Sequence, residues 1–206
     1  RSMDMMAKLS HEVRTPLNSI IGLNRIISDN LTDSGKVEDC SKKIAVASDY
    51  LLSIVNNLFD MEQFSSGKAS LNESDFSLTQ LLNFLAVVYE EFAKGEGIEF
   101  SFSAVDCPDF VKGDKERLRR VLSNLLSNGI RFNKKNGHLD FIVENLGISN
   151  GSYKLRFTVS DDGVGMSPET LSKVFVPYSN SENEDKDVIY GAGFGLALSN
   201  TIINQM

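Results

Sequence analysis

One change of hydrophobic period divides this sequence, and it limits the possible folds more than any other feature. In the first third, apolar residues recur at steps of three and four, the spacing of a single helical face. Leu9, Val13, Leu17, Ile20, Leu23 and Ile27 form one such stripe, and Ile44, Ala47, Leu51, Ile54, Leu58 and Met61 form a second. Between them, the polar segment Ser28 to Gly35 ends in glycine and predicts a chain reversal. A lone hairpin of two such helices buries too little apolar surface. The pattern therefore predicts a four-helix bundle, most simply a homodimer through the hairpin. Packing against the rest of the chain is the alternative.

The run Phe64 to Ala69 is rich in Ser, Gly and Lys and marks a linker, beyond which helices and strands alternate. Ser77 is placed to cap a helix through Leu81, Leu82, Phe84, Leu85, Val88 and Phe92, stopped by Gly95 and Gly97. Ile98 to Val105 alternates as a strand does, and Lys115 to Phe132 is helical. Leu139 to Ile148 and Tyr153 to Val159 predict paired strands around Asn150 and Gly151. Ser167 to Val174 predicts a short helix, Ser179 to Tyr190 a polar mobile loop, and Phe194 to Met206 a last helix. The expected organisation is α+β: a helical hairpin over 1–66, a linker over 67–75, and an α/β two-layer domain over 76–206 with helices on one face of a mixed sheet. A sheet of this kind wants closing strands after the last helix, so the sequence reads as a fragment.

Composition narrows the function. The net charge of −7 argues against nucleic acid and anionic membranes as partners, although Lys112 to Arg120 is a local basic patch able to hold a phosphorylated ligand. No apolar run approaches the roughly 20 residues of a membrane span, so no membrane contact is expected of this segment. Cys40 and Cys107 lack metal-ligand spacing and predict a reducing, cytoplasmic setting.

His11 lies on the polar side of the first stripe. Glu12 beside it can take a proton from one ring nitrogen and leave the other as a nucleophile. Thr15 is one turn further along the same face, with a hydroxyl able to position water. Pro16 removes a helical hydrogen bond and predicts a bend just below the histidine. The other histidine, His138, reads as a plain surface residue before a strand.

Three clusters in the second domain suit a nucleotide. Asn124 and Asn128 are four apart on one helix, and an amide oxygen is a hard ligand suited to Mg²⁺. Arg131 on the next turn can meet phosphate oxygens. In SDDGVGM (Ser160 to Met166), Gly163 and Gly165 permit a tight turn against a ligand, and Asp161 can accept from an exocyclic amino group. In GAGFGLAL (Gly191 to Leu198), a loop runs into a helix start whose N–H groups favour phosphate. Each cluster alone also fits ordinary turns and hydrogen-bonded asparagines.

The string SHEVRTPLN, Ser10 to Asn18, resembles the phospho-acceptor box of sensor histidine kinases. The run Arg117 to Phe132 and the two glycine clusters resemble the asparagine and glycine boxes of the GHKL ATP-binding fold, and FVPY (Phe175 to Tyr178) resembles its phenylalanine box. The resemblance implies phosphorylation of His11 from ATP with Glu12 as base. It implies onward transfer to a response-regulator receiver domain, with Thr15 serving dephosphorylation of that partner. It also implies Asn128 as the Mg²⁺ ligand with Asn124 beside it, Arg131 at phosphate, Phe132 near the nucleotide and Asp161 reading adenine. Gly191, Gly193, Gly195 and Leu196 would shape the lid and phosphate site. Gly129 stands where the family usually has Ala, which predicts a slightly looser helix, and Asn133 stands where Thr is usual. Two other readings are a GHKL ATPase of the gyrase or chaperone type, which lacks the histidine box, and a non-catalytic docking module.

Overall fold

The computed structural model describes residues 2–65, 70–176 and 195–206; in the helical region the side chains of 2–9, 11–12, 49–50, 53 and 57–65 lie outside the described set. The chain forms two compact units, one of residues 1–69 with 173–198 and one of 70–172 with 199–206.

The first unit holds α1 (Ser2–Asp29) and α2 (Ser34–Ser65) as a helical hairpin. The reversal is tighter than Ser28 to Gly35. It occupies Asn30 to Asp33, and the Asp33 carboxylate caps α2 by accepting from the Lys36 N–H at 3.1 Å. Gly35 is therefore already helical, because a side-chain cap does the work expected of a glycine. Helix α1 runs unbroken through Pro16, whose side chain is buried. Along α2, buried Cys40, Ala47 and Ile54 alternate with half-buried Ile44 and Leu51 in one seam. Leu17, expected in the apolar stripe of α1, is 43% exposed instead.

In the second unit, β1 (Ser74–Ser77) leads directly into α3 (Leu78–Gly95), with Ser77 as N-cap accepting from the Gln80 N–H. There follow β2 (Glu99–Val105), β3 (Phe110–Gly113), α4 (Lys115–Arg131), β4 (His138–Ser149), β5 (Ser152–Asp161) and the start of α5 (Pro168–Lys173); α6 (Gly195–Gln205) closes the chain. Strand β4 is central in the main sheet, parallel to β2 and antiparallel to β5. Asn150 and Gly151 both have positive φ, the two-residue turn that matches strand twist in a hairpin. Strands β1 and β3 form a separate antiparallel pair. The sequence reading missed that pair, and Ser74 and Asp75 of β1 fall inside the stretch read as linker. Four-residue strands are too short for an alternation signal.

Leu78, Leu81, Leu82, Leu85 and Tyr89 of α3 and Leu118, Leu122 and Leu126 of α4 pack with Phe141 and Val143 of β4. Both helices thus cover one sheet face, the expected two-layer arrangement. Gly129 belongs to this packing. A Cβ there would drive into the Leu139 side chain, so the glycine brings α4 close to the sheet, where the sequence suggested only a looser helix. Among the described residues, no helix is long and apolar enough to cross a membrane.

Candidate functional site

One backbone hydrogen bond, from the Val164 N–H, joins the end of α4 to the loop after β5. The Phe132 N–H donates to the Asn128 carbonyl at 3.0 Å, and the Val164 N–H donates to the Phe132 carbonyl at 3.1 Å. The Gly163 N–H donates to Asp161 Oδ1 at 2.8 Å, leaving the second carboxylate oxygen for another donor. Gly163 is required by space: a Cβ would collide with the Phe132 carbonyl and the Asp161 carboxylate. Gly165 sits at φ +67°, where a side chain is strained. Asn128, Phe132, Asp161, Gly163 and Gly165 are thereby gathered into one place by this docking. Arg131 stacks its guanidinium over the Phe132 ring at 5.1 Å.

The two asparagines differ. Asn124 Nδ2 donates to Ser199 Oγ at 3.0 Å, tying α4 to α6, whereas the Asn128 side chain makes no hydrogen bond among the described residues. Asn128 is the better fit to a hard cation, because its amide oxygen is uncommitted and half-buried. Among the described residues, no group of three or more His, Cys, Asp or Glu side chains forms a metal site.

Gly195 and Leu196 open α6. Gly191 and Gly193 lie outside the described residues, as do Pro177 and Tyr178 of the phenylalanine box and the loop Ser179 to Tyr190. His11 and Glu12 are consecutive helical residues of α1, with side chains outside the described set. Thr15 is half-buried in the same helix, one turn on.

Two charged clusters escaped the sequence reading. Asp114 is buried and caps α4 by accepting from the Arg117 N–H at 3.0 Å; it also accepts from the Asn72 N–H at 2.9 Å. Arg117 pairs with it at 3.3 Å and reaches Ser70 O and Gln205 Oε1, at both ends of the unit. Within the basic patch read from Lys112 to Arg120, Arg117 and Arg119 are paired with Asp114 and Glu116, while Lys112 and Lys115 are exposed. An acid just before a helical run is a cap signal that was there to be used. The second group surrounds His138, which is not a plain surface residue. Its ring lies 3.0 Å from Asp162 and 3.0 Å from Glu99. The Asp162 hydrogen bond, then the Glu99 charge, raise its pKa above the ordinary histidine value, and His138 in turn lowers that of Asp162.

Residues 2–67 match the His Kinase A (phospho-acceptor) domain, and residues 113–206 match the family described as histidine kinase-, DNA gyrase B- and HSP90-like ATPase. The chain belongs to the sensor histidine kinases. It is their catalytic core, and the phospho-acceptor match separates it from the gyrase and chaperone ATPases. Hybrid signal transduction histidine kinase C of Dictyostelium discoideum is 32% identical over 208 residues, covering 100% of this chain and 17% of that protein. Full-length ShkA, solved in complex with AMPPNP, is 25% identical with a TM-score of 0.66, over 98% of this chain and 41% of that one. Histidine kinase ThkA, solved in complex with response regulator protein TrrA, is 25% identical with a TM-score of 0.61, over 85% of this chain and 50% of that one. This histidine kinase core spans 17% to 28% of the length of the first curated relatives it matches.

Proposed function

We propose that this core binds ATP at the Asn128–Asp161 site, moves the γ-phosphoryl group onto His11, and passes it to an aspartate of a response-regulator receiver domain. The observation that carries the reading is the docking of the Asp161–Gly165 loop onto the Phe132 carbonyl. It sets a free carboxylate oxygen and the uncommitted Asn128 amide on the same rigid corner. Asp161 accepts from the adenine amino group, Arg131 faces phosphate with Phe132 beside the nucleotide, and Asn128 holds Mg²⁺. Asn124 donates to Ser199 of α6, and by the family resemblance Gly191, Gly193, Gly195 and Leu196 contact the phosphates. When bound, Mg²⁺ neutralises phosphate charge. Positioning supplies most of the remaining acceleration.

In the transfer, a ring nitrogen of His11 forms a bond to the γ-phosphorus while the bond to the β,γ-bridging oxygen breaks and ADP leaves. Glu12 receives the ring proton. The phosphoramidate is a reactive donor, so transfer to a carboxylate is chemically accessible. The ShkA nucleotide complex and the ThkA–TrrA complex support nucleotide and receiver as ligands of this chain too. Exposed Ile21 and Leu52 on the hairpin support a homodimer through α1 and α2. The hairpin over 1–66, the joint over 67–75 and the nucleotide-binding domain over 76–206 divide these tasks, and a reducing cytoplasm suits the two free thiols.

Incubation with γ-labelled ATP and Mg²⁺ tests this. The expected product is acid-labile, base-stable label that is absent from His11→Gln. Label persisting in that variant overturns the assignment. In the same preparation, Thr15→Ala should keep autophosphorylation within a few-fold yet lose most dephosphorylation of a phosphorylated receiver. Equal loss of both activities would make Thr15 structural.

A further inference from the structure

Three segments of the α/β unit converge on His138. The imidazole Nε2 is 3.0 Å from Glu99 Oε2 at the start of β2, and Nδ1 is 3.0 Å from Asp162 Oδ2, just past β5. The His138 N–H donates to the same Asp162 oxygen at 3.1 Å, and the Asp162 N–H donates back to the His138 carbonyl at 3.2 Å. Lys134, in the segment after α4, places Nζ 3.8 Å from Asp162 Oδ2. Asn133 Nδ2 also donates to the His138 carbonyl at 2.9 Å. The charged groups facing the ring among the described residues are thus two carboxylates, with one lysine behind them.

A neutral imidazole has one donor and one acceptor nitrogen. With a carboxylate at each nitrogen, the neutral ring must turn a lone pair toward an anion, while the imidazolium donates to both. We propose that His138, in its doubly protonated form, is a positioning residue that clamps Asp162 and through it the neighbouring Asp161 loop, making nucleotide affinity proton-dependent. The inference rests on the proposed role of Asp161 at adenine. It concerns a residue outside the nucleotide contacts.

The direction follows from linkage. A histidine whose folded pKa is raised contributes fully below its ordinary value, and the contribution is lost as pH rises through the raised one. Asp162, with its pKa lowered, stays ionised throughout that window. Because the clamp forms only with the ring protonated, the nucleotide-bound state should hold that proton more tightly than the free one, and nucleotide binding should be tighter near pH 6 than near pH 8.5. The cluster is exposed, with the His138 side chain 58% accessible, so water screens it and the effect is about two- to fivefold.

The test is equilibrium binding of Mg²⁺-ADP to the full chain across that pH range, in wild type, His138→Gln, His138→Arg and Asp161→Asn. Ionisation of ADP itself is common to all and cancels in the comparison. His138→Gln should lose the extra low-pH affinity. His138→Arg, a permanent cation able to meet both carboxylates, should keep it across the range. Reciprocity supplies a second readout: ADP should raise the His138 pKa, followed by NMR in a chain with only one other histidine, His11. Parallel pH profiles for wild type and His138→Gln, or a His138 pKa unmoved by ADP, would overturn the proposal. If Asp161→Asn binds ADP as wild type does, the adenine role fails too, whereas weak binding by that variant with parallel profiles sinks the clamp alone.

Discussion

In the hairpin, Pro16, Cys40, Ala47 and Ile54 are buried among the described side chains, while Ile21 is 59% exposed and Leu52 58%. In the α/β unit, five residues of α3, three of α4 and two of β4 join Phe76 in one continuous cluster. Both regions are helical on at least one side and both contain regular apolar stripes. The difference is what the stripes face. Helices α3 and α4 pack on a sheet, whereas among the described side chains of α1 and α2 several large apolar residues stay in water. The exposed apolar residues of the hairpin fit the proposed homodimer, and the packed sheet fits the proposed nucleotide site.

The largest expected effect sharpens that contrast. Phe141 is fully buried in the centre of β4, so Phe141→Ala should cost about 3–5 kcal/mol in denaturant unfolding of the α/β unit. Ile21→Ala or Leu52→Ala should cost under about 0.5 kcal/mol in dilute chain, as surface changes do. At concentrations where the chain dimerises, the same two variants should lose more, by an amount that grows with concentration. A hairpin cost that ignores concentration would break the comparison.

Next in size is Gly163→Ala. The new methyl meets the Phe132 carbonyl, a backbone atom that cannot rotate aside, so the loop must leave its dock. Overpacking of this kind costs about 1–3 kcal/mol. Nucleotide affinity should fall about tenfold or more, measured by titration with a fluorescent ATP analogue; tenfold corresponds to about 1.4 kcal/mol. Thr15→Ala, on the hairpin, should leave that affinity unchanged. Equal weakening by both would mean that binding is not confined to the α/β unit.

Much of this was legible from spacing. Long periodic runs announced α1, α2, α3, α4 and the β4–β5 hairpin, since each repeats its signal over several turns or pleats. The tight turn at Gly163 and Gly165 and the helix carrying Asn128 were legible because short motifs mark them. What stayed hidden was contact between segments far apart in sequence. Asp114 reaches Asn72, His138 reaches Glu99 and Asp162, and Asn124 is tied to Ser199. No local period encodes such pairs. The same limit explains Gly129, whose meaning depends on Leu139, ten positions away across the fold.

The smallest effect discriminates best, because it places one chemical change in both regions. Gly22 lies in mid-α1 with no atom within 4 Å of where a Cβ would stand. Gly129 lies in α4 against the fully buried Leu139. In either helix, alanine gains about 1 kcal/mol over glycine through backbone entropy. At Gly22 nothing opposes the gain, so Gly22→Ala should stabilise α1 by about that much, read as increased helicity and slower amide exchange. At Gly129 the methyl must displace a leucine packed beside Ala93, Ile98 and Val159. The leucine end is movable, so the overpacking cost lies near the low end of about 1–3 kcal/mol, and the sum is a net loss of about 1 kcal/mol or less. Opposite signs in thermal unfolding would mark one helix open to solvent and one packed on a sheet. If Gly22→Ala instead destabilises the chain, and does so more strongly as concentration rises, its methyl meets a second copy and locates the dimer interface on that face of α1.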